Sequence, residues 1–567
     1  MKKRIGLVVT SLAACIFMMV FLTSCQKHTH SYEWVISEEE HYKLCEECLD
    51  EIERGEHTFE EDICSLCSFQ KGTEGLSFEL NEEETGYSIT SILCQGNSIV
   101  IPSVYKNLPV VSIASCEDPF SHEQQYNNLT SIVIPASIKE VGKHGFFNSS
   151  TLKQVYYEGK IEDWCNIRFE EADSNPMYRD NANRFYLRNA DNEWEEVTSI
   201  ELPDSVTEIG DYQFWGFSHI TSATIPDSVT SIGYSAFHGC NSLTSITLPF
   251  VGSNRASNET HFGFIFGSAE KTLNSRAVPN SLREVIITGG RSIDNMAFND
   301  CNRLTSIVLP DSVTSIGGGA FGNCKSLTSM DIPDGVTSIG GGAFSGCNNL
   351  TSIVIPDGVS RIEDNTFKGC NQLASIVIPN RVTSIGESAF EGCGRLPSIT
   401  IDKNIISIGK NAFQKCYSLT EVYYEGTMED WCRIVFDGSV FYSNNSNHFY
   451  LRNNDTVWEE VTSVKIPDTI TKIGINQFYG FNNLMALIIP DTVISIGKDA
   501  FYGCMDSFYG KSSLILYCEA TSKASSWSED WNMADSYFAI PAYWYSSDEP
   551  AETGNYWHYV NGVPTEW

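Results

Sequence analysis

LTSIVLPDSVTSIGGGAFGNC, residues 304–324, decides how this chain folds, because the sequence around it keeps saying the same thing. Cys301, Cys324, Cys347, Cys370, Cys393 and Cys416 each close a unit, and the step between them is 23 residues. Phe217 to Cys240 and Phe481 to Cys504 keep that step, with phenylalanine standing in for one cysteine without disturbing the period. A fixed period of this length is the mark of a stacked repeat and comes before any other motif.

Each unit parses physically. Leu304, Ile307 and Leu309 follow L-x-x-I-x-L, whose last two positions alternate as a strand with one buried face does. Pro310-Asp311 cannot continue a ladder and turns the chain. Val313 and Ile316 form a second short apolar stretch, Gly317 turns the chain again, and Ala320, Phe321, Cys324 and Leu327 refill the interior. One such unit cannot bury its own apolar face, so neighbouring units must stack. The predicted fold is a right-handed solenoid of parallel β-strands. Strands are expected near Ile99, Ile132, Val155, Ile200, Ala223, Ile246, Val285, Ile307, Met330, Ile353, Ile376, Ile399, Val422, Val464, Leu487 and Ile515. That is about 16 turns and, at about 4.8 Å per strand, a length of roughly 75 Å.

Residues 317–322 read GGGAFG, a literal match to the dinucleotide fingerprint G-x-G-x-x-G. On the 23-residue period the same positions read GYSAFH at 233–238, GESAFE at 386–391 and GKNAFQ at 409–414. Only the first glycine persists, becoming Asp294 and Glu363 in two units, and 23 residues cannot hold the strand–turn–helix that a phosphate cradle needs. The first glycine therefore reads as a turn and the other two as neutral variation. The cysteines read as buried, reduced filler, since neighbouring side chains in a ladder point the same way and make poor disulfides.

The pattern L-x-x-I-x-I-P-x-x-V-x-x-I-G-x-x-A-F-x-x-C resembles the leucine-rich repeat of BspA-like bacterial surface proteins, also called the Treponema pallidum type. The resemblance covers roughly residues 76–520. It implies a cell-surface protein, since known members sit there and several bind host matrix proteins, host cells or other bacteria.

The ends carry different signals. Lys2, Lys3 and Arg4 precede an uncharged run from Ile5 to Leu22 and then Leu22-Thr23-Ser24-Cys25, which looks like a bacterial lipoprotein signal with Cys25 as the lipidated residue. The competing reading is a retained signal anchor; both leave the rest of the chain exported. Residues 25–75 hold Cys45, Cys48, Cys64 and Cys67 in C-x2-C-x15-C-x2-C, the spacing of a zinc-ribbon-like module with a structural Zn2+. His30, His41 and His57 are alternative ligands, and two disulfides are the exported-protein alternative. Residues 521–567 are crowded with aromatics, including Trp527, Trp531, Tyr543, Trp544, Trp557 and Trp567, and are expected to cap the last turn, with a glycan platform as the rival.

Three insertions interrupt the period. Residues 156–196 and 423–460 are copies of each other: V-Y-Y-E-G, then E-D-W-C, then F-Y-L-R-N, then W-E-E-V-T-S. The E-D-W-C piece reads as a short helix with its tryptophan buried, and F-Y-L-R-N as an extra strand. The pair is a structural variant of the repeat or a duplicated binding loop. The third, residues 250–278, carries Arg255, His261, Phe262, Phe264 and Phe266 among glycines, and is expected to leave the solenoid as a loop with an aromatic patch, the best candidate for partner contact.

The formal charge of −35 excludes nucleic acid as a partner. H-E-x-x-H, G-x-S-x-G and EF-hand loops are absent, and the outward strand positions offer Ser, Val and Asp without an acid–base pair, so no enzyme is expected. The expected role is adhesion or protein binding to extracellular or host surface proteins. The alternatives are a carbohydrate-binding lipoprotein acting through the tail or the 250–278 loop, and a passive spacer.

Overall fold

The computed structural model describes residues 73–567 apart from 93–95, 116–127, 148, 179–182, 255–260, 442–446, 453–456, 505–513, 535–537 and 552. Before residue 73 it describes only the backbone of the strands Tyr32–Ile36, Glu40–Cys45, Glu51–Glu56, Phe59–Glu60 and Ile63–Cys64, the first three forming an antiparallel sheet. The chain divides into two compact units, Met1–Val197 and Thr198–Trp567.

In the first unit the hairpin Leu76–Leu80/Tyr87–Ile92 starts a sheet that turns parallel through Leu108–Ile113, Glu140–Val141 and Arg168–Phe169. A second sheet stacks Ser98–Val100, Ser131–Ile134, Gln154–Tyr157 and Arg184–Arg188 in parallel and ends in antiparallel Trp194–Glu196.

The second unit shows the repeat most plainly. Most turns contribute a longer strand and a short one, which pair in parallel with their copies one turn on: Ser352, Ile353 and Val354 face Ser375, Ile376 and Val377, while Ser384 and Ile385 face Ser407 and Ile408. Alternation puts Ile307, Ile353 and Ile399 inside and Val308, Val354 and Thr400 outside. The strand expected at Met330 is not formed, although Met330 and Ile332 are buried where the repeat places them.

Two ladders run through the interior. Phe298, Phe321, Phe344, Phe367, Phe390, Phe413 and Phe441 stack with centroids 5.2–5.6 Å apart and ring planes within 17° of parallel. Beside them the thiols of Cys324, Cys347, Cys370, Cys393 and Cys416 each donate to the carbonyl of the phenylalanine 26 residues earlier, at 3.1–3.3 Å. Burying each such side chain contributes about 1.5–3 kcal/mol, which a lone turn could not realise. The cysteines are free and, in this ladder, fully buried, as expected of filler.

Two expectations need correction here. The third glycine of G-G-G-A-F-G is not neutral variation: Gly319 has φ 64°, and its equivalents Met296, Asn365, Ser388, Asn411 and Asp499 hold φ 53–59°. Every turn passes through the left-handed region at this point, which glycine adopts without strain. Gly317 is needed for another reason, since a Cβ there would lie 2.5 Å from the Asn295 backbone nitrogen of the turn before.

The described residues of the third insertion, 250–254 and 261–278, do not leave the solenoid. They fold inward to supply the interior rung missing between Phe237 and Phe298, with ring centroids at 6.4 Å for Phe237–Phe266, 5.3 Å for Phe266–Phe262 and 5.0 Å for Phe262–Phe298. The Phe262 N–H donates to the Ala297 carbonyl and the Phe237 N–H to the Ile265 carbonyl, so the segment replaces a turn hydrogen bond for hydrogen bond.

At the other end Ala542–Tyr545 and Tyr556–Val560 extend the longer-strand sheet in parallel, and Val563–Glu566 returns antiparallel. Trp527 and Trp531 are buried, with the Trp527 indole donating to the Val493 carbonyl at 3.2 Å.

Candidate ligand-binding surface

The duplicated insertions build the same object twice. In V-Y-Y the alternation sends Val155 and Tyr157 inward and Tyr156 outward, and likewise Val422 and Tyr424 inward and Tyr423 outward. The extra strands Arg184–Arg188 and His448–Arg452 form as expected and bring Tyr186 beside Tyr156 and Tyr450 beside Tyr423. An antiparallel strand then lays Trp194 opposite Arg188 and Trp458 opposite Arg452.

The product is a half-exposed aromatic cluster on the outer sheet face. Tyr156 stacks on Tyr186 at 4.6 Å and meets Trp194 at 5.1 Å, with the Arg188 guanidinium 4.1 Å above the indole. In the second copy Tyr423–Tyr450 is 4.8 Å, Tyr423–Trp458 is 5.0 Å and Arg452 lies 5.1 Å over Trp458. Acids flank both: burial pushes the Glu158 carboxyl up to about 7 against the pull of Arg188, and Glu421 accepts from the Tyr423 hydroxyl at 2.9 Å.

Behind each cluster a short helix, Ile161–Cys165 or Met428–Arg433, plugs the interior with a fully buried tryptophan. Thr427 caps the second helix, accepting from the Asp430 N–H at 3.2 Å. Trp431 packs against Tyr424, Phe436, Phe449 and Phe481 at centroid distances of 4.7–5.8 Å. Its indole donates to the Gln477 carbonyl at 3.0 Å, and the Gln477 amide donates back to the Trp431 carbonyl at 2.6 Å.

This explains a pair of replacements of which sequence reading noted only the phenylalanine. In the turn after each insertion the usual Ala-Phe becomes Gln213-Phe214 and Gln477-Phe478, and the usual cysteine becomes Phe217 and Phe481. Elsewhere the cysteine donates to the turn before, as Cys504 does to the Phe478 carbonyl at 3.1 Å. After the second insertion the plug stands where that turn would be. A larger ring then fills the space, Phe481 meeting Trp431, Phe441 and Phe449 at 4.8–5.8 Å.

The outer face also carries exposed valines in one row, interrupted by Asp331 between Val308 and Val354. Val308, Val354 and Val377 are 46%, 73% and 73% exposed, and the same strand position continues through Thr400 to Tyr423 and Tyr450. Of the residues singled out for partner contact, His261, Phe262 and Phe266 are buried and Phe264 is half-buried against Tyr234 at 5.4 Å, while Arg255 lies outside the described residues. Phe262 and Phe266 are core, because their rings are spent on the interior stack. Cys25, Cys48, Cys67, His30 and His57 lie outside the described residues. His41 is within a strand, and Cys45 and Cys64 end theirs, so each C-x2-C begins at a strand end.

Sequence reading also missed His144, Glu171 and Asp173, which lie close together. The His144 Nδ1 sits 2.6 Å from Asp173 Oδ2 and Lys143 takes Glu171 at 3.3 Å, so each of the three already has a protein partner. Among the described residues no helix is long and apolar enough to cross a membrane.

The BspA type leucine rich repeat region matches this chain in six copies, over residues 121–175, 190–265, 291–420, 337–460 and 452–509. Among solved structures the chain is similar to a leucine-rich repeat protein from Bacteroides ovatus ATCC 8483, at 18% identity over 78% of this chain and 98% of that one, TM-score 0.40. It is also similar to the T. pallidum leucine rich repeat protein, at 22% identity over 57% and 89% of the two chains, TM-score 0.21. A leucine rich cell surface protein from Faecalibacterium prausnitzii A2-165 matches at 23% identity over 83% and 99%, TM-score 0.26. No curated protein matches the chain.

Proposed function

The chain belongs to the BspA-type leucine-rich repeat family, and on that premise we propose that it is an exported surface protein that adheres to other proteins through the outer face of its longer strands. The observation that carries this reading is the row Val354–Val377–Thr400–Tyr423–Tyr450. Two valines at 73% exposure lead into a half-exposed aromatic cluster, and contiguous exposed apolar surface of this kind marks an interaction site. Aromatic and arginine side chains such as Tyr423, Tyr450, Trp458 and Arg452 are the types that dominate protein interfaces. The repeated strands supply extended area, which supports reading the chain as a binding scaffold rather than an enzyme.

Lipid attachment at Cys25 would hold the protein at the membrane, and a structural Zn2+ on Cys45, Cys48, Cys64 and Cys67 would stabilise the segment that follows it. Both rest on the sequence signals alone. The aromatic tail is read as closing the last turn, since Trp527 and Trp531 are buried.

The test is a double variant, Val354→Lys with Val377→Lys, compared with Tyr450→Ala for adhesion of the full chain to immobilised extracellular-matrix and bacterial surface proteins. Both substitutions are on the outer face, so circular dichroism should be unchanged while binding falls at least tenfold. Unchanged binding by both variants, or binding that persists only to glycans, would overturn the reading.

A further inference from the structure

The second insertion breaks the short-strand ladder and leaves two raw edges facing each other. Val435–Phe436 pairs back to Ser407–Ile408, and Lys472–Ile473 pairs forward to Ser495–Ile496. The two strands do not pair with one another; the ladder ends at the first and begins again at the second, as it also does between Ser338–Ile339 and Arg361–Ile362, but there the turns stay joined through Gly342 N–H to the Asp364 carbonyl at 2.8 Å. Between them lies a groove of about 330 Å³, with Ile434, Val435 and Phe436 on one wall and Thr471, Lys472 and Ile475 on the other.

Backbone hydrogen bonds show what is missing. In intact steps the turn glycine donates one turn back, Gly386 to the Ile362 carbonyl at 2.8 Å and Gly409 to the Ile385 carbonyl at 2.7 Å, and Ile406 donates likewise to Thr383 at 2.8 Å. The corresponding acceptors at the break are the Phe436 and Ile434 carbonyls, and among the described residues neither receives such a bond. Gly474, where the donor should be, turns instead to its own turn's Gln477 Oε1 at 3.2 Å.

The glycine surroundings agree independently. A Cβ on Gly409 would lie 2.5 Å from the Glu387 nitrogen and one on Gly497 2.6 Å from the Ile475 nitrogen, both backbone of the preceding turn. On Gly474 it would meet only Gln477. The preceding strand is absent there, and an open strand edge is a template for pairing.

The rim identifies the occupant. Val435 and Ile475 are 60% and 50% exposed, and two cations, Arg433 and Lys472, stand at the groove in a chain whose net charge is −35. Arg433 is engaged by Glu429, while Lys472 makes no ion pair among the described residues. We propose that this groove captures an extended acidic peptide segment of a partner protein by strand addition. Its backbone would bond to the Val435–Phe436 edge, its apolar side chains would cover Val435 and Ile475, and a carboxylate would meet Lys472. This deepens, and rests on, the reading of the chain as a protein-binding scaffold.

The test uses the full chain in detergent and fluorescence anisotropy of three labelled probes: the hexapeptide TVDVTV, its lysine counterpart TVKVTV, and TVDVTV N-methylated at alternate amides. Wild-type protein should bind the acidic peptide at least tenfold more tightly than the basic one and should not bind the methylated one, and Lys472→Glu should invert the preference. Failure of all three to bind, a preference unmoved by Lys472→Glu, or equal binding of the methylated peptide would overturn the proposal. Lys472 is exposed and off the outer face, so Lys472→Glu should leave adhesion through Val354 and Val377 intact. Wild-type protein that adheres but captures none of the peptides would therefore refute the groove alone, and wild-type protein that captures the acidic peptide but does not adhere would refute the outer face alone.

Discussion

Adding one methyl group at two equivalent positions should have unequal costs if the ladder is broken where the structure breaks it. Gly409 and Gly474 occupy the same place in their turns, and neither has a positive φ. At Gly409 the new Cβ would sit 2.5 Å from the Glu387 nitrogen and 2.6 Å from the Gly386 carbonyl carbon; ordinary contact begins at 3.4 Å, so the turns must part by about 0.9 Å. That opening stretches the 2.7 Å bond from Gly409 N–H to the Ile385 carbonyl towards about 3.6 Å, past useful length. Losing it costs about 1 kcal/mol and the overpacking about 1–3 more, so Gly409→Ala should destabilise by roughly 2–4 kcal/mol. At Gly474 the methyl meets only the Gln477 amide end, which can move aside at the loss of its 3.2 Å bond from Gly474 and its 2.6 Å bond to the Trp431 carbonyl, about 1 kcal/mol each, with no turn to be parted. The smaller entropy of the unfolded alanine chain offsets about 0.4–1 kcal/mol at either site, leaving Gly474→Ala about 1–1.6 kcal/mol below wild type. Urea unfolding with hydrogen exchange read at the flanking turns measures both, the local readout being needed because repeat arrays need not melt as one unit. Equal costs at the two sites would mean that a turn does pack behind Gly474, and the groove argument would fall with it.

Two further outcomes follow from the interior. Burial raises the thiols of Cys347, Cys416 and Cys504 to about 12, above the unfolded value of about 8.5; their contribution is therefore whole below about pH 8.5 and is lost as pH rises towards 12, at about 1.4 kcal/mol per pH unit for each thiol. Urea midpoints between pH 8 and 10.5 should fall with a slope that Cys416→Ala reduces by one proton, and an unchanged slope would contradict the buried-thiol ladder. The Tyr424 hydroxyl is buried without a hydrogen-bond partner, so Tyr424→Phe should be neutral or stabilise by up to about 1 kcal/mol, and a clear destabilisation would show that the hydroxyl is satisfied.

The period exposed most of the architecture because a repeat states its core many times over. Leu304, Ile307, Val313, Ile316, Phe321 and Cys324 are all buried as their spacing requires, and the helix at Trp431 and the strand at Tyr450 form where the pattern shifts. Composition misled at residues 250–278, where glycines among aromatics resemble an outward loop. The signal that corrects it was present as arithmetic: Phe237 and Phe298 are 61 residues apart, not a multiple of 23, and the interior stack still needs a ring between them.

The break in the ladder was less legible, because continuity between turns is a property of backbone contacts and no single unit records it. Its trace is a pair of coupled replacements, Ala to Gln477 and Cys to Phe481, repeated as Gln213 and Phe217 after the other insertion. Each looks tolerable alone, since the period survives both. Together they mark a turn that has lost its predecessor: the glutamine supplies the acceptor that Gly474 would otherwise find one turn back, and the phenylalanine fills the volume where a thiol would have had no carbonyl to reach. A repeat protein thus writes its interruptions into the core residues of the next turn, and the residues that stop obeying the consensus point to where the surface has an open edge.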